Sequence, residues 1–162
     1  MDTKFSVFEI LEIAEQVDKR GAQFYVKTAD LFQDQYLQDF YYSLAETKVK
    51  QQKMWAKMRK EFSEKTGEFG VFDPDNYVLS HPKVMAGLTW VGNHGNTRKH
   101  LTGKETEEDI VRDTIHRENA VITFFQGLKD FARDPASIDT VEKIIQLENQ
   151  QVLSLIDRAN HL

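Results

Sequence analysis

The stretch that decides the fold is residues 44–55, which read Leu44-Ala45-Glu46-Thr47-Lys48-Val49-Lys50-Gln51-Gln52-Lys53-Met54-Trp55. It is typical of the middle of a long amphipathic helix, because one set of residues recurs at alternating steps of three and four. The face they share holds Tyr41, Leu44, Lys48, Gln51, Trp55, Met58 and Phe62. A lysine and a glutamine therefore lie in the centre of a mostly apolar face. Polar groups at such positions must be paired, and they are where function is usually sought.

Composition limits the classes of protein to which the chain can belong. Its 162 residues suffice for one domain with a full hydrophobic core, so we expect a single domain over residues 1–162. A content of 40% hydrophobic and 29% charged residues is typical of a soluble globular protein. The absence of cysteine excludes thiol chemistry, disulfides and cysteine-ligated iron or zinc.

The charge pattern and the apolar runs bear on partners and location. The net charge of −5 comes from interspersed residues, which argues against nucleic acid as a partner. No apolar run is long enough to span a bilayer, and the first residues lack the hydrophobic region of a signal peptide. We therefore expect a cytoplasmic protein without a membrane partner.

Capping signals divide the chain into four long helices. Ser6 followed by Glu9 predicts the start of the first helix, and Asp34 predicts the start of the second. Thr106 and Asp109 repeat the capping pattern for the third helix. The other predicted boundaries are a second helix over about 36–65 that stops at Gly67, and Asp134-Pro135, which ends the third helix and starts the fourth.

An acidic residue interrupts the apolar stripe of three of these helices. The first helix carries Asp18 in a stripe that we expect to extend to Leu31. The third helix carries Glu118 in a stripe that we expect to extend to Ala132, and the fourth carries Glu148. Each of these carboxylates is thus predicted to face the core.

Residues 67–105 differ in composition from the helices on either side. They hold six of the eight glycines, two of the three prolines and three of the five histidines. Their apolar content is too high for a disordered linker, so we predict a crossover that packs on the helices and contains a short helix after Pro82. His81, His94 and His100 could form a separate metal site, although their spacing matches no metal-binding motif and loop histidines are common.

The two halves of the chain share one pattern. In each half an acidic residue precedes an aromatic residue by seven positions, Asp18 before Tyr25 and Glu118 before Phe125. The second helix of each half has two polar core positions three apart, Lys48 with Gln51 and Glu148 with Gln151. The parallel favours an all-α, pseudo-symmetric four-helix bundle.

Together these motifs resemble the rubrerythrin branch of the ferritin-like superfamily. They lie in order along the four helices as Asp18-Lys19-Arg20-Gly21-Ala22-Gln23-Phe24-Tyr25, residues 44–51, Glu118-Asn119-Ala120-Val121-Ile122-Thr123-Phe124-Phe125 and Glu148-Asn149-Gln150-Gln151. The resemblance covers most of the chain outside residues 67–105. It implies a ferritin-like four-helix bundle with a long central crossover between helices two and three.

The resemblance also implies where a metal centre would lie. The family holds two iron ions with one glutamate from each of two helices and a Glu-x-x-His pair from each of the other two. The six corresponding positions here are Asp18, Lys48, Gln51, Glu118, Glu148 and Gln151. Three of them hold carboxylates and none holds a histidine, so the ligand set of the family is incomplete.

The lysine decides between two interpretations of these six positions. Its ammonium could replace the metal charge between three carboxylates, with the two glutamines completing the hydrogen bonds of a metal-free polar core network. The other interpretation keeps one iron or other divalent ion on Asp18, Glu118 and Glu148, helped by a nearby acid such as Glu15 or Glu46. The missing ligands favour the metal-free network.

Two classes of function stay open on the sequence alone. The favoured one is a non-enzymatic helical scaffold, expected to form a homodimer and to hold no cofactor. The alternative is an iron- or peroxide-handling oxidoreductase of the rubrerythrin type with an altered mono- or dinuclear metal centre. No phosphate loop, nucleophile elbow or dinucleotide fingerprint points to other chemistry.

Overall fold

Four long helices make up most of the computed structural model, which describes residues 4–68 and 101–162. They are α1 (Val7–Ala29), α2 (Gln35–Thr66), α3 (Glu107–Leu128) and α4 (Pro135–Asn160). Within these two ranges there is no strand, and the one isolated bridge pairs Phe5 with Ala132. The all-α prediction is confirmed.

Local capping sets the ends of the helices much as the sequence predicts. Ser6 and Glu9 form a capping box at the start of α1, and Thr106 and Asp109 form another at the start of α3. Aspartates cap α2 and α4, each accepting a hydrogen bond from a backbone N–H of the first turn. Gly67 ends α2 in the left-handed conformation, with φ of 72°.

The end of α3 differs from the prediction. The helix stops at Leu128 and continues as a short 3-10 turn, Lys129–Phe131, instead of running to Asp134. The reason is a pairing with the start of the chain: the Phe5 N–H donates to the Phe131 carbonyl at 2.6 Å, and the Arg133 N–H donates to the Phe5 carbonyl at 2.8 Å. Ala132 between them is extended, so its predicted place on the helical stripe is wrong.

The end of α1 contains a second correction. Leu31 was expected on the buried stripe, but it is 47% exposed, whereas the next residue, Phe32, is 2% exposed. The helix ends at Ala29, so the residues after it no longer follow the helical repeat. The turn places Phe32, rather than Leu31, in the core.

Contacts at one end of the bundle fix the directions of three helices. The guanidinium of Arg158, near the end of α4, donates to the Tyr36 hydroxyl at 2.7 Å and to the Glu107 carboxylate at 3.0 Å. Tyr36 lies in the first turn of α2, and Glu107 is the first residue of α3. α2 and α3 therefore start at the same end, and α4 runs antiparallel to both.

Contacts at the other end show that the connection between α2 and α3 is a crossover. Glu68, just after α2, pairs with Arg133, which follows α3, at 3.2 Å. Both helices thus also finish at one end, so the end of α2 and the start of α3 lie at opposite ends of the bundle. With 32 residues, α2 is about 48 Å long at ~1.5 Å per residue. The predicted long crossover is confirmed, whereas the predicted short helix after Pro82 lies outside the described residues.

The apolar faces of the helices meet in one core with a charged residue at its centre. The largest fully buried side chains include Tyr25, Tyr41 and Phe125, and Lys48 is among them. The rings of Tyr25 and Tyr41 stack with centroids 6.1 Å apart. None of the helices in the described ranges combines the length and hydrophobicity needed to cross a membrane.

Candidate functional site

The side chain of Lys48 ends inside the bundle with its whole hydrogen-bonding capacity used. Its Nζ lies 2.8 Å from Glu118 Oε2, 2.9 Å from Glu148 Oε2 and 3.1 Å from Gln151 Oε1. An ammonium has three N–H donors, and each has an acceptor here. The acceptors come from α3 and α4, so the lysine of α2 connects the two halves of the molecule.

α1 contributes a third carboxylate to this cluster. Asp18 is buried, and its Oδ1 lies 3.9 Å from the Nζ of Lys48, within ion-pair distance but beyond hydrogen-bond distance. Its other oxygen, Oδ2, accepts a hydrogen bond of 2.7 Å from the indole N–H of Trp55. We call Asp18, Lys48, Glu118, Glu148 and Gln151 the Lys48 network.

Two aromatic residues belong to the site although the sequence assigned them only to the core. Trp55 holds Asp18, and the Tyr25 hydroxyl donates to Glu118 Oε1 at 2.6 Å, so both oxygens of Glu118 are hydrogen-bonded. The sequence spacing of these two aromatic residues could have identified them as part of the site. Tyr25 follows Asp18 by seven residues and Trp55 follows Lys48 by seven, so each aromatic lies two turns along the same helical face.

Three buried oxygens at the site accept no hydrogen bond from any described residue. They are Asp18 Oδ1, Gln51 Oε1 and Glu148 Oε1. Of the two glutamines expected to complete the hydrogen bonds, the structure therefore places Gln151 on the lysine, whereas the Oε1 of Gln51 is left as an acceptor beside the network. A buried acceptor without a donor is costly, so these oxygens mark where a proton or a further donor would be held.

Charge within the network is unbalanced, because one ammonium faces three carboxylates. Burial, and next the charge of Glu148, raises the pKa of Asp18 well above its ordinary value. Burial also raises the pKa of Glu118, although Lys48 opposes that shift. A proton held on Asp18 would remove part of the excess negative charge.

The ammonium itself stays charged. Burial lowers the pKa of Lys48, but the charges of Glu118, Glu148 and Asp18 together outweigh burial and hold this pKa above its ordinary value. A protonated amine has no lone pair to offer a metal or a substrate, so this raised pKa favours a role for Lys48 as a counter-charge.

The metal pair implied by the family pattern does not fit these residues. A cation already lies at hydrogen-bond distance from Glu118 and Glu148, in the position from which a metal would attract the same oxygens. Both carboxylate oxygens of Glu118 already have partners, since Tyr25 donates to Oε1 and Lys48 pairs with Oε2. Among the described residues, no group of three or more histidine, aspartate or glutamate side chains is arranged to hold a metal ion.

The two acids expected to assist a retained metal ion lie elsewhere. Glu15 forms a two-pronged ion pair with the guanidinium of Arg59, which fixes both of its oxygens. Glu46 is exposed and pairs with Lys50 at 3.2 Å on the outer face of α2. Both carboxylates thus have partners outside the Lys48 network.

The histidines add no ligand to the site within the described chain. His116 is exposed on α3, as its offset of two residues from Glu118 predicts. His161 is exposed at the end of α4 and contacts the Asp157 carbonyl at 2.7 Å. The remaining candidates, His81, His94 and His100, lie outside the described residues.

Comparisons with known proteins support the fold, but they identify neither a ligand nor an activity. Neither a protein-family model nor a curated protein sequence matches the chain. One matching crystal structure is that of a protein from Thermotoga maritima described as a proposed ferritin-like diiron-carboxylate protein. The two chains superpose with a TM-score of 0.53 over 99% of this chain and 98% of the other, at 17% sequence identity. The chain has a ferritin-like fold. A sequence identity this low does not justify transferring a ligand or an activity from that protein to this chain. The function of the site must therefore be inferred from its own residues.

Proposed function

We propose that this protein is a non-enzymatic helical scaffold in which the ammonium of Lys48 occupies the place of a metal centre. The observation that supports the proposal is the position of the Lys48 Nζ, 2.8 Å from one glutamate and 2.9 Å from the other. A buried ion pair of this geometry offsets part of the negative charge of the carboxylates at the positions that the family uses for ligands. The bundle then keeps its fold without a metal.

The chemistry of the donors supports a structural rather than a catalytic role. Iron sites need several anionic or imidazole ligands with free lone pairs, and here the imidazoles are replaced by glutamines. The lysine is protonated, and its carboxylate partners are bound to it. All three N–H groups of Lys48 are engaged, which supports a structural role for its ammonium. Membership of the rubrerythrin branch, the homodimer and the cytoplasmic location stay predictions.

Metal content tests the proposal directly. Untagged protein is purified from iron-supplemented cells, and iron, manganese and zinc are measured per chain. We expect far less than one metal per chain, and no iron oxidation or peroxide consumption after incubation with ferrous iron. The matched control is a Glu118→Gln, Glu148→Gln variant, which should hold the same trace of metal as the wild type.

The opposite result would favour the oxidoreductase alternative. Near-stoichiometric metal in the wild type that disappears in the Glu118→Gln, Glu148→Gln variant would overturn the scaffold proposal. Peroxide consumption that depends on the added metal would do the same, since the Lys48 network has no other redox group.

A further inference from the structure

A groove between α2 and α4 opens directly beside the Lys48 network. Its volume is about 590 Å³, and it extends from Phe40 and Arg158 near one end of the bundle to Gln51 and Gln151 at its inner end. A water molecule occupies ~30 Å³ of liquid, so the groove is large enough for a small organic molecule.

The inner end of the groove carries an unused acceptor. Gln51 is 6% exposed and lines the groove, and its Oε1 has no hydrogen-bond donor among the described residues. Lys48 does not supply that donor, because all three of its N–H groups have acceptors elsewhere. A molecule in the groove can supply it.

The same groove also offers a donor. Gln151 also lines the groove, and its Oε1 is taken by Lys48. What remains of its amide is the NH₂ group, which can only donate. The groove thus offers one acceptor from α2 and one donor from α4, which suits a ligand that carries both a donor and an acceptor.

The walls and the local charge narrow the class of ligand further. Leu44 and Leu155 are buried apolar residues that line the groove, together with the ring of Phe40. They favour an apolar body behind the polar group. The inner end adjoins a network with three carboxylates and one ammonium, and Asp157 and Arg158, which also line the groove, carry opposite charges. The field at the inner end therefore disfavours an anion.

We propose that the groove binds a neutral, amphipathic small molecule whose primary carboxamide, or an equivalent donor–acceptor pair, meets Gln51 and Gln151. Ligand binding in the groove does not depend on whether the protein binds metal, because the groove uses the glutamines and the apolar walls rather than the carboxylates. A failure to find a ligand would leave the scaffold proposal intact, and a metal-loaded protein would not by itself refute the groove.

Benzamide and benzoate provide a matched pair of probes, because they share a ring and differ in charge. Each is titrated into ¹⁵N-labelled full-length protein, and the backbone amide signals are followed. We expect benzamide to shift the signals of Ser43, Thr47 and Ser154, which line the groove, with saturation. Benzoate should bind at least about tenfold more weakly, because the carboxylate is repelled and cannot donate to Gln51.

Two neighbouring glutamines provide the variant and its control. Gln51→Leu removes the acceptor and should weaken benzamide binding about tenfold or more. Gln52→Leu makes the same change one residue along, outside the groove lining, and should leave the affinity within about twofold. If Gln51→Leu does not fold, Ser154→Trp obstructs the groove from an exposed position and should abolish the saturable shifts.

Several results would overturn the proposal. These are the absence of saturable shifts in the groove up to the solubility of benzamide, equal affinity for benzoate, or unchanged affinity in Gln51→Leu. Shifts of Ser43 and Ser154 that depend on protein concentration without ligand would show instead that a second copy of the chain covers the groove, which would also overturn it.

Discussion

Lys48 is stabilising only as long as its partners and its charge are both present. Its side chain is fully buried, and its nearest ion-pair partners are themselves 0% and 1% exposed, so water cannot replace a missing partner. Removing one member of such a cluster costs more than the intact cluster contributes, because an uncompensated charge is left behind.

Truncation of the lysine should therefore be severe. We expect Lys48→Met to lower the free energy of unfolding by about 3–5 kcal/mol, because three carboxylates lose their counter-charge. Urea denaturation measures the loss. Lys50→Met, on the exposed face of the same helix, should change stability by less than about 0.5 kcal/mol. A loss below about 1 kcal/mol in Lys48→Met would contradict the buried network.

The tyrosine that holds Glu118 should also be energetically important. Tyr25→Phe leaves Glu118 Oε1 unpaired in the core, and we expect a loss of about 1.5–3 kcal/mol because the acceptor is charged. Tyr42→Phe removes an exposed hydrogen bond to Asp30 and should cost about 0.5 kcal/mol or less. Urea denaturation measures the free energy of unfolding of both variants. Equal losses would show that the buried hydrogen bond to Glu118 contributes no more to stability than the exposed one to Asp30.

The protonation of Asp18 predicts a particular dependence of stability on pH. Its pKa is raised by folding, so between about pH 3.9, the ordinary value for aspartate, and the folded-state pKa the native state binds the extra proton. The contribution of Asp18 is thus fully present below about pH 3.9 and is lost as the pH rises through the folded-state pKa.

Replacement of Asp18 by asparagine isolates this effect. Asp18→Asn resembles the protonated carboxyl and cannot ionise, so the variant should gain stability relative to the wild type as the pH rises above about 4. Urea unfolding of both proteins at pH 4, 5, 6, 7 and 8 measures the difference. A difference that is constant with pH, or that shrinks as the pH rises, would show that Asp18 is not protonated by folding.

At the scale of single helices, the ends that a local signal defines are the ends that the sequence predicts. The side chains of Ser6, Asp34 and Thr106 cap their helices by accepting a hydrogen bond from a backbone N–H three residues later. The end of α3 was missed because it depends on Phe5, which is more than 120 residues distant from its partners. Propensity and capping cannot reveal a pairing between such distant parts of the chain.

The site shows the same division between local and distant information. The spacing of Lys48 from Gln51 and of Glu148 from Gln151 was sufficient to predict that these residues face the interior. Arg117 was missed, since a charged residue one position from the stripe is normally exposed. It is 5% exposed because Asp113 pairs with it at 2.7 Å and the ring of Phe24 covers its guanidinium at 4.4 Å.

Two glycines at helix ends should respond to alanine in opposite directions. Gly67→Ala should lower stability by about 1–2 kcal/mol, because φ is 72° and alanine is strained there. Gly127→Ala should raise stability by up to about 1 kcal/mol, since the residue is helical and an added Cβ meets nothing within 4 Å. Thermal unfolding of both variants measures the changes, and the same sign in both would contradict these backbone assignments.

At the scale of the molecule, the bundle has the ferritin-like fold, and no group of side chains among the described residues is arranged to hold a metal ion. If the backbone positions suit a metal pair, the Lys48→Glu, Gln51→His, Gln151→His variant should bind divalent metal, approaching about two ions per chain. Metal analysis after anaerobic loading with ferrous iron measures it. The matched control, Lys50→Glu, Gln52→His, Gln150→His, makes the same changes outside the network and should stay metal-poor.

The stability of the Lys48→Glu, Gln51→His, Gln151→His variant provides a second measurement. Without metal it buries four carboxylates with no counter-ion, so we expect it to be destabilised and to regain its helical circular dichroism and a higher Tm when metal is added. Metal content no higher than in the control, with no change in Tm, would show that the positions of the six side chains no longer suit a metal pair.

The division of the Lys48 network between the two halves of the chain has a consequence for the order of folding. α1 with α2, and α3 with α4, can each form early from nearby residues, but three acceptors of Lys48 belong to the other half. A slip of one helical turn, ~5.4 Å, between the halves would leave the ammonium against apolar side chains. The ion pairs thus fix the register of the two halves, and they form late in folding. Weakening them should therefore accelerate unfolding far more than it slows folding.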